Sequence, residues 1–156
     1  MKLYFKQKVF SLRQRSEIMD ESGVVLFKAV GEFSIGRRMH IYDNRENEVA
    51  FIQQRLLRLM PRFSVYIGSN HVADIVKNFT LFSHDYRIEG LGWSVNGDWL
   101  AHDYTITYRN RYIASIHKHW MSWGDSFEVD IADGEDCVMV LAVIIAIDCV
   151  IDNSQN

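Results

Sequence analysis

Apolar and polar residues alternate along most of this chain. Arg38-Met39-His40-Ile41-Tyr42 alternates and stops at the polar turn Asp43-Asn44-Arg45. Val24–Phe27 with Lys28-Ala29-Val30 precedes it, and Glu48–Gln53 and Arg62–Ile67 form a further pair. Phe127-Glu128-Val129-Asp130-Ile131 keeps a strict period of two, which places one face of a strand against a core. In Trp93–Trp99, Asn96-Gly97 sits between alternating flanks and predicts a type I′ hairpin turn, because both central residues there need positive φ. His102–Tyr108 and Arg111–His117 predict another hairpin around Asn110. The pattern adds up to about a dozen strands.

The pattern breaks once. Asp133-Gly134-Glu135-Asp136 leads into Cys137–Ile147, an uncharged apolar run of 11 residues that continues past Asp148 to Ile151. That is too long for one strand and holds no turn residue, so a helix is expected. Its many β-branched residues leave a strand pair as the alternative. Asp133 is the expected N-cap, with Asp136 favourably placed at the positive end of the helix dipole. Apolar on every side, such a helix must be enclosed by protein. It falls short of the ~20 residues that cross a bilayer.

Two segments repeat at an offset of 64 residues. Val49–Ile52 overlies Ile113–Ile116, and Phe63–Ile67 overlies Phe127–Ile131, with apolar matches at alternate positions. Two similar antiparallel halves that close on each other would bury their edges. The expected architecture is a closed antiparallel β-barrel with a helix through its centre.

Composition narrows the function classes. The chain has 156 residues and a net charge of −3, from 17 basic and 20 acidic side chains. That suits one domain, taken as residues 1–152 with a frayed tail at 153–156. It argues against a general nucleic-acid binder, which carries a strong basic excess. Lysines interrupt every short apolar run near the N-terminus, so no signal-peptide core is expected, and the Asn78-Phe79-Thr80 sequon has no role. Cys137 and Cys149 lie 12 positions apart on the expected helix, too far for a disulfide, and read as free thiols of a reducing cytoplasm.

Several stretches carry a family resemblance: Phe10-Ser11-Leu12, Gly23–Gly31, Ile52-Gln53-Gln54-Arg55, Trp123–Ile131 and the terminal Leu141–Asp148. In order and spacing over about residues 1–152 the chain resembles the small bacterial members of the LURP-one-related family, in the Tubby C-terminal-like superfamily. The resemblance implies a 12-stranded barrel around a central hydrophobic C-terminal helix. Phospholipid scramblases resemble the same fold group, and Tubby-like domains within it bind phosphoinositides. For the small bacterial members the resemblance implies no established activity.

The residues offer few chemical constellations. His117 and His119 share a strand face, but four structural ligands are not assembled, so no metal is expected. His84-Asp85 and His102-Asp103 put unlike groups on opposite strand faces, which is no acid–base couple. The acids from Asp125 to Asp136 lack the order of a calcium loop. No nucleophile elbow, phosphate loop or dinucleotide fingerprint occurs, so no catalytic residue, enzyme activity or cofactor is expected. Arg55-Leu56-Leu57-Arg58-Leu59-Met60-Pro61-Arg62 mixes arginines with leucines, and Arg37-Arg38 comes close if strands pair in order. Arg37, Arg38, Arg55, Arg58 and Arg62 are therefore the candidate ligand-binding set. They suit an anionic membrane surface or a phosphorylated ligand, because guanidinium forks match phosphate and leucines suit shallow insertion. The competing expectation is a protein-interaction scaffold using Trp120–Trp123 or the Trp93–Trp99 segment.

Overall fold

The computed structural model describes residues 1–6, 15–56, 62–77, 86–121 and 124–155. Among these residues, twelve strands form one antiparallel sheet: β1 (Lys2–Lys6), β2 (Arg15–Met19), β3 (Val25–Ser34), β4 (Gly36–Asp43), β5 (Glu48–Arg55), β6 (Arg62–Ile67), β7 (Asn70–Lys77), β8 (Tyr86–Glu89), β9 (Trp93–Asp98), β10 (Asp103–Tyr108), β11 (Arg111–Met121) and β12 (Gly124–Ile131). One helix, α1 (Cys137–Gln155), follows. The spatial order is β8-β7-β6-β5-β4-β3-β2-β1-β12-β11-β10-β9. β8 and β9 come together at the ends of this row, so the sheet curls into a nearly closed barrel. Among the described residues, that seam alone has no ladder of hydrogen bonds.

The repeat is real in register. Ala50 faces Ile67 and Ile52 faces Val65; 64 positions on, Ala114 faces Ile131 and Ile116 faces Val129. β3–β8 form one half, and β9–β12 with β1 and β2 form the other. The β2–β3 junction is fully laddered, whereas its counterpart between β8 and β9 is the seam.

Inward-facing residues alternate along each strand as a half-buried sheet requires. Leu3, Phe5, Ile18, Ile41, Ile52, Phe63, Ile75, Ile106 and Ile116 are all buried around α1. Val140–Ile147 of the helix is buried on every side, which explains its apolar composition. No helix among the described residues is long and apolar enough to cross a membrane.

Two local expectations change. Asn96-Gly97 makes no turn; both lie inside β9, and the chain reverses at Trp99–His102 instead. Gly97, at φ +125, is needed for close approach: a Cβ there would stand 2.5 Å from the Asp103 carbonyl oxygen and 2.8 Å from Tyr104 Cα. The helix N-cap is Asp136, whose Oδ1 accepts from the Met139 amide at 3.0 Å, and not Asp133. The hairpin around Asn110 forms as expected, with Arg109 and Asn110 both at positive φ.

Candidate functional site

Antiparallel order sorts the connections between two rims. β12 ends at the lower rim, so α1 enters there and runs upward. The upper rim is where the odd-numbered strands end, the even-numbered ones begin, and the helix terminates. It carries the β3–β4 turn at Ile35, the end of β5 at Arg55-Leu56, and the β9–β10 turn at Trp99–His102. Each supplies an exposed apolar side chain: Ile35 is 92% exposed, Leu56 46% and Leu100 48%.

Across β3–β8 charge is sorted the same way, whereas the β9–β10 turn at the same rim is flanked by the exposed acids Asp98 and Asp103. On β3–β8 the upper rows hold Arg37, Arg38, Arg55, Arg62, Lys77 and Arg87, outnumbering Glu32, Asp74 and Glu89. The lower turns carry Asp20, Glu21, Asp43, Glu46, Asp133 and Asp136 against Arg45, Arg109 and Arg111.

The five candidate arginines do not form one patch. Adjacent residues of a strand face opposite ways. Arg37 shares its face with the buried Met39 and Ile41, and its guanidinium pairs with Asp152 near the end of α1. Arg38 lies on the outer face, 3.5 Å from Glu32. Arg62 is bound by Asp74 at 2.9 Å and Glu89 at 3.2 Å. Asp74 also accepts from Ser64 Oγ at 2.6 Å. Burial alone would raise its pKa, but Ser64, His71 and Arg62 outweigh it and hold the carboxyl below its usual range. Arg55 stands directly opposite Arg62 across the β5–β6 ladder and is exposed. Like charges facing each other are unfavourable, and among the described residues Arg55 forms no ion pair. Arg58 lies outside the described residues, as do His84, Asp85, the sequon and Trp123. Trp93 and Trp99 are half-buried against the core.

Sequence reasoning missed the interior of this rim. Ile52 and Ile116 are repeat equivalents, so their partners Met39 and Tyr104 occupy the same place in the two halves. Two residues before each stand Arg37 and His102. Arg37 pairs with Asp152, and His102 Nε2 lies 2.8 Å from Asp148 Oδ1. The two carboxylates are four residues apart, one turn of helix. Two equivalent basic side chains therefore grip the C-terminal end of α1, whose last turn has no basic residue of its own and where the helix dipole favours positive charge.

Asp148 is fully buried, and burial pushes its carboxyl up to about 6 despite the pull of His102. Burial disfavours charge on His102, but the bond to Asp148 and its negative charge prevail and raise the imidazole above its ordinary value. Tyr104 Oη is buried beside Asp148, and among the described residues neither it nor the Asp148 carboxyl oxygens have a well-aligned hydrogen-bond partner, so the His102–Asp148 contact is an electrostatic one. Trp99 stacks between Tyr86 at 5.0 Å and Tyr104 at 5.7 Å, closing the upper end of the seam. Cys149 is buried and pushed up to about 12 by desolvation, so it stays a neutral thiol. His117, on the outer face, bonds Asp103 at 2.6 Å.

The family model for LURP-one-related proteins matches residues 1–148. The chain belongs to the LURP-one-related family. It is also 32% identical to the uncharacterized protein YxjI of Bacillus subtilis (strain 168), over all of this chain and 97% of that protein. An X-ray structure of a protein from Arabidopsis thaliana superposes with a TM-score of 0.67 at 16% identity, covering 99% of this chain and 91% of the other. At that identity the likeness shows the fold, a Tubby-like barrel with one helix. As a LURP-one-related protein, the chain has relatives without a described activity, so a function must be argued from its own surface.

Proposed function

We propose that this chain is a non-enzymatic binding module that docks its upper rim on an anionic lipid surface. The observation that carries the reading is three exposed apolar tips, Ile35, Leu56 and Leu100, sharing one rim with Arg55, which is exposed and forms no ion pair among the described residues. Apolar tips partition into the headgroup boundary, while basic side chains near the surface add about 1 kcal/mol each. The acidic lower rim favours one orientation in the field of such a surface. The cytoplasmic leaflet is the anionic one. Within the starting set of arginines, Arg55 retains charge for a ligand, whereas Arg37, Arg38 and Arg62 are each paired with carboxylates of the chain itself. A protein scaffold built on Trp93 and Trp99 fits less well, because both rings pack against the core.

Co-sedimentation with phosphatidylcholine vesicles, with and without phosphatidylserine, tests this at low and physiological salt. Binding only to the anionic vesicles, weakened by salt, is expected. Arg55→Glu and the pair Ile35→Asp with Leu100→Asp should each cut it about tenfold. Equal binding to both vesicles, or none, would sink the reading.

A further inference from the structure

The outer wall of β4–β7 carries a row of rings. His40, Phe51, Tyr66 and His71 face one another across three successive ladders. Met39, Ile41, Ala50, Ile52 and Val65 are buried toward α1, so alternation turns His40, Phe51 and Tyr66 outward. His71 joins them past a bulge. None of the four is buried. Successive ring centres lie 4.9, 5.9 and 5.2 Å apart, and each ring is turned from the next by 38°, 36° and 35°. Tyr42 lies beside His40, with ring centres 6.2 Å apart.

The repeat shows what the fold itself needs at these positions. Met39 and Tyr104 are equivalent, so the matching row in the other half is Thr105, Ser115, Asp130 and Lys2. Small polar and charged side chains complete that wall. Closing and filling the barrel therefore does not call for rings, and the aromatic row is an addition to one half.

Charge along the row is already balanced. Glu48 accepts from His40 Nδ1 at 2.6 Å and Glu32 from Nε2 at 2.9 Å. With both nitrogens donating, that imidazole is charged. Asp74 meets His71 at 3.0 Å and Arg62 at 2.9 Å. Each of these carboxylates answers a basic group of the chain, so the face offers no net charge to an ionic ligand. Single-stranded nucleic acid also stacks on rings, but it calls for a positively charged groove. The face does offer hydrogen bonds. Arg38 Nε has no partner among the described residues, Gln53 stands directly opposite Arg38, and Tyr66 brings its hydroxyl. A carboxamide both donates and accepts, as does a phenol.

We propose that this row is a binding platform for a neutral, curled oligosaccharide of the amylose type. A sugar lays its apolar C–H face on an aromatic ring and points its hydroxyls sideways, toward Gln53, Arg38 and Tyr66 Oη. The rings turn as they step around the barrel, so they suit a chain that turns from one sugar to the next. A straight chain of the cellulose type would lie flat on one ring and lift off its neighbours. The platform is on the wall of the barrel and is independent of the upper rim.

Titration of the whole protein with maltoheptaose, followed by amide chemical shifts, tests this. Shifts should concentrate at residues 40, 51, 53 and 66, while 105, 115 and 130 stay still as the internal control. Cellohexaose should bind about tenfold more weakly, since it loses at least one ring contact. Phe51→Ser, which installs the residue the fold already holds at 115, should weaken maltoheptaose binding about tenfold. Gln53→Ala keeps every ring and should weaken it several-fold. Thermal melts establish that each variant is folded. No shift at millimolar maltoheptaose, shifts shared equally by both halves, or equal binding of cellohexaose would overturn the proposal. So would wild-type affinity in Phe51→Ser or, should that variant fail to fold, in Gln53→Ala. Oligouridylate binding in place of maltoheptaose would overturn it too, and would assign the face to nucleic acid.

Discussion

Replacing Asp148 with asparagine should make the protein more stable at neutral pH, although the substitution removes half of an ion pair. The carboxyl is fully buried, and its pKa in the fold is about 6 against an ordinary 3.8. At 1.36 kcal/mol per unit, ionising it in place costs about 3 kcal/mol more than ionising it in the unfolded chain. A carboxyl whose folded pKa is raised binds its proton more tightly in the native state. Its contribution is therefore fully present below about pH 4 and lost as pH rises to about 6. His102 adds a second window. Its raised pKa gives stability that is present below about 6.5 and is lost as pH climbs through the folded value. Asparagine has no charge to desolvate and cannot raise the His102 pKa by ionic attraction, so both declines should shrink. Relative to the wild type, Asp148→Asn should gain about 3 kcal/mol between pH 4 and pH 7, or about 6–12 °C in Tm for a chain of this size. Urea unfolding of both proteins at half-unit pH steps gives the difference curve. Two parallel curves would refute the reasoning, since they would mean that Asp148 titrates alike in the folded and unfolded states.

Two other substitutions test the fold itself. Gly97→Ala should destabilise by about 2–3 kcal/mol in urea unfolding, because its Cβ would overlap the backbone of Asp103 and Tyr104 at an already left-handed φ; Gly134→Ala, at φ +82 but with open space around it, should cost only about 1 kcal/mol. Asp136→Ala should cost about 1 kcal/mol by the same assay, while Asp133→Ala should change stability little, which separates the true N-cap from its neighbour.

Much of the barrel was legible because one rule, alternation, operates locally. Arg62–Ile67 reads as a strand from its pattern and is β6 in the structure. The offset of 64 between Val49–Ile52 and Ile113–Ile116 forecast a shared pairing register, which β5–β6 and β11–β12 display. Asn96-Gly97 misled because its turn chemistry was sound in isolation. The glycine answers instead to a cross-strand contact with Tyr104, which no local pattern contains. The split between Arg37 and Arg38 follows from the same period of two that found the strands, and reading them as one patch ignored it. The grip of Arg37 and His102 on α1 was different in kind. His102 and Asp148 come together only because the barrel surrounds the helix, and His102 in an ordinary strand would have pointed elsewhere.

The pairing of β1 with β12 dictates when this molecule can become itself. As a ribosome delivers the chain, at about 5–20 residues per second, β1 emerges early, yet one of its two neighbours is among the last strands to appear. The apolar filling of the cylinder, α1, comes later still. Until then the wall has nothing to wrap around, and its inward isoleucines and phenylalanines face water. A nascent chain must wait, with half-made sheet exposed, for its final helix. Any break in translation within α1 would therefore yield an adhesive remnant and not a smaller working barrel.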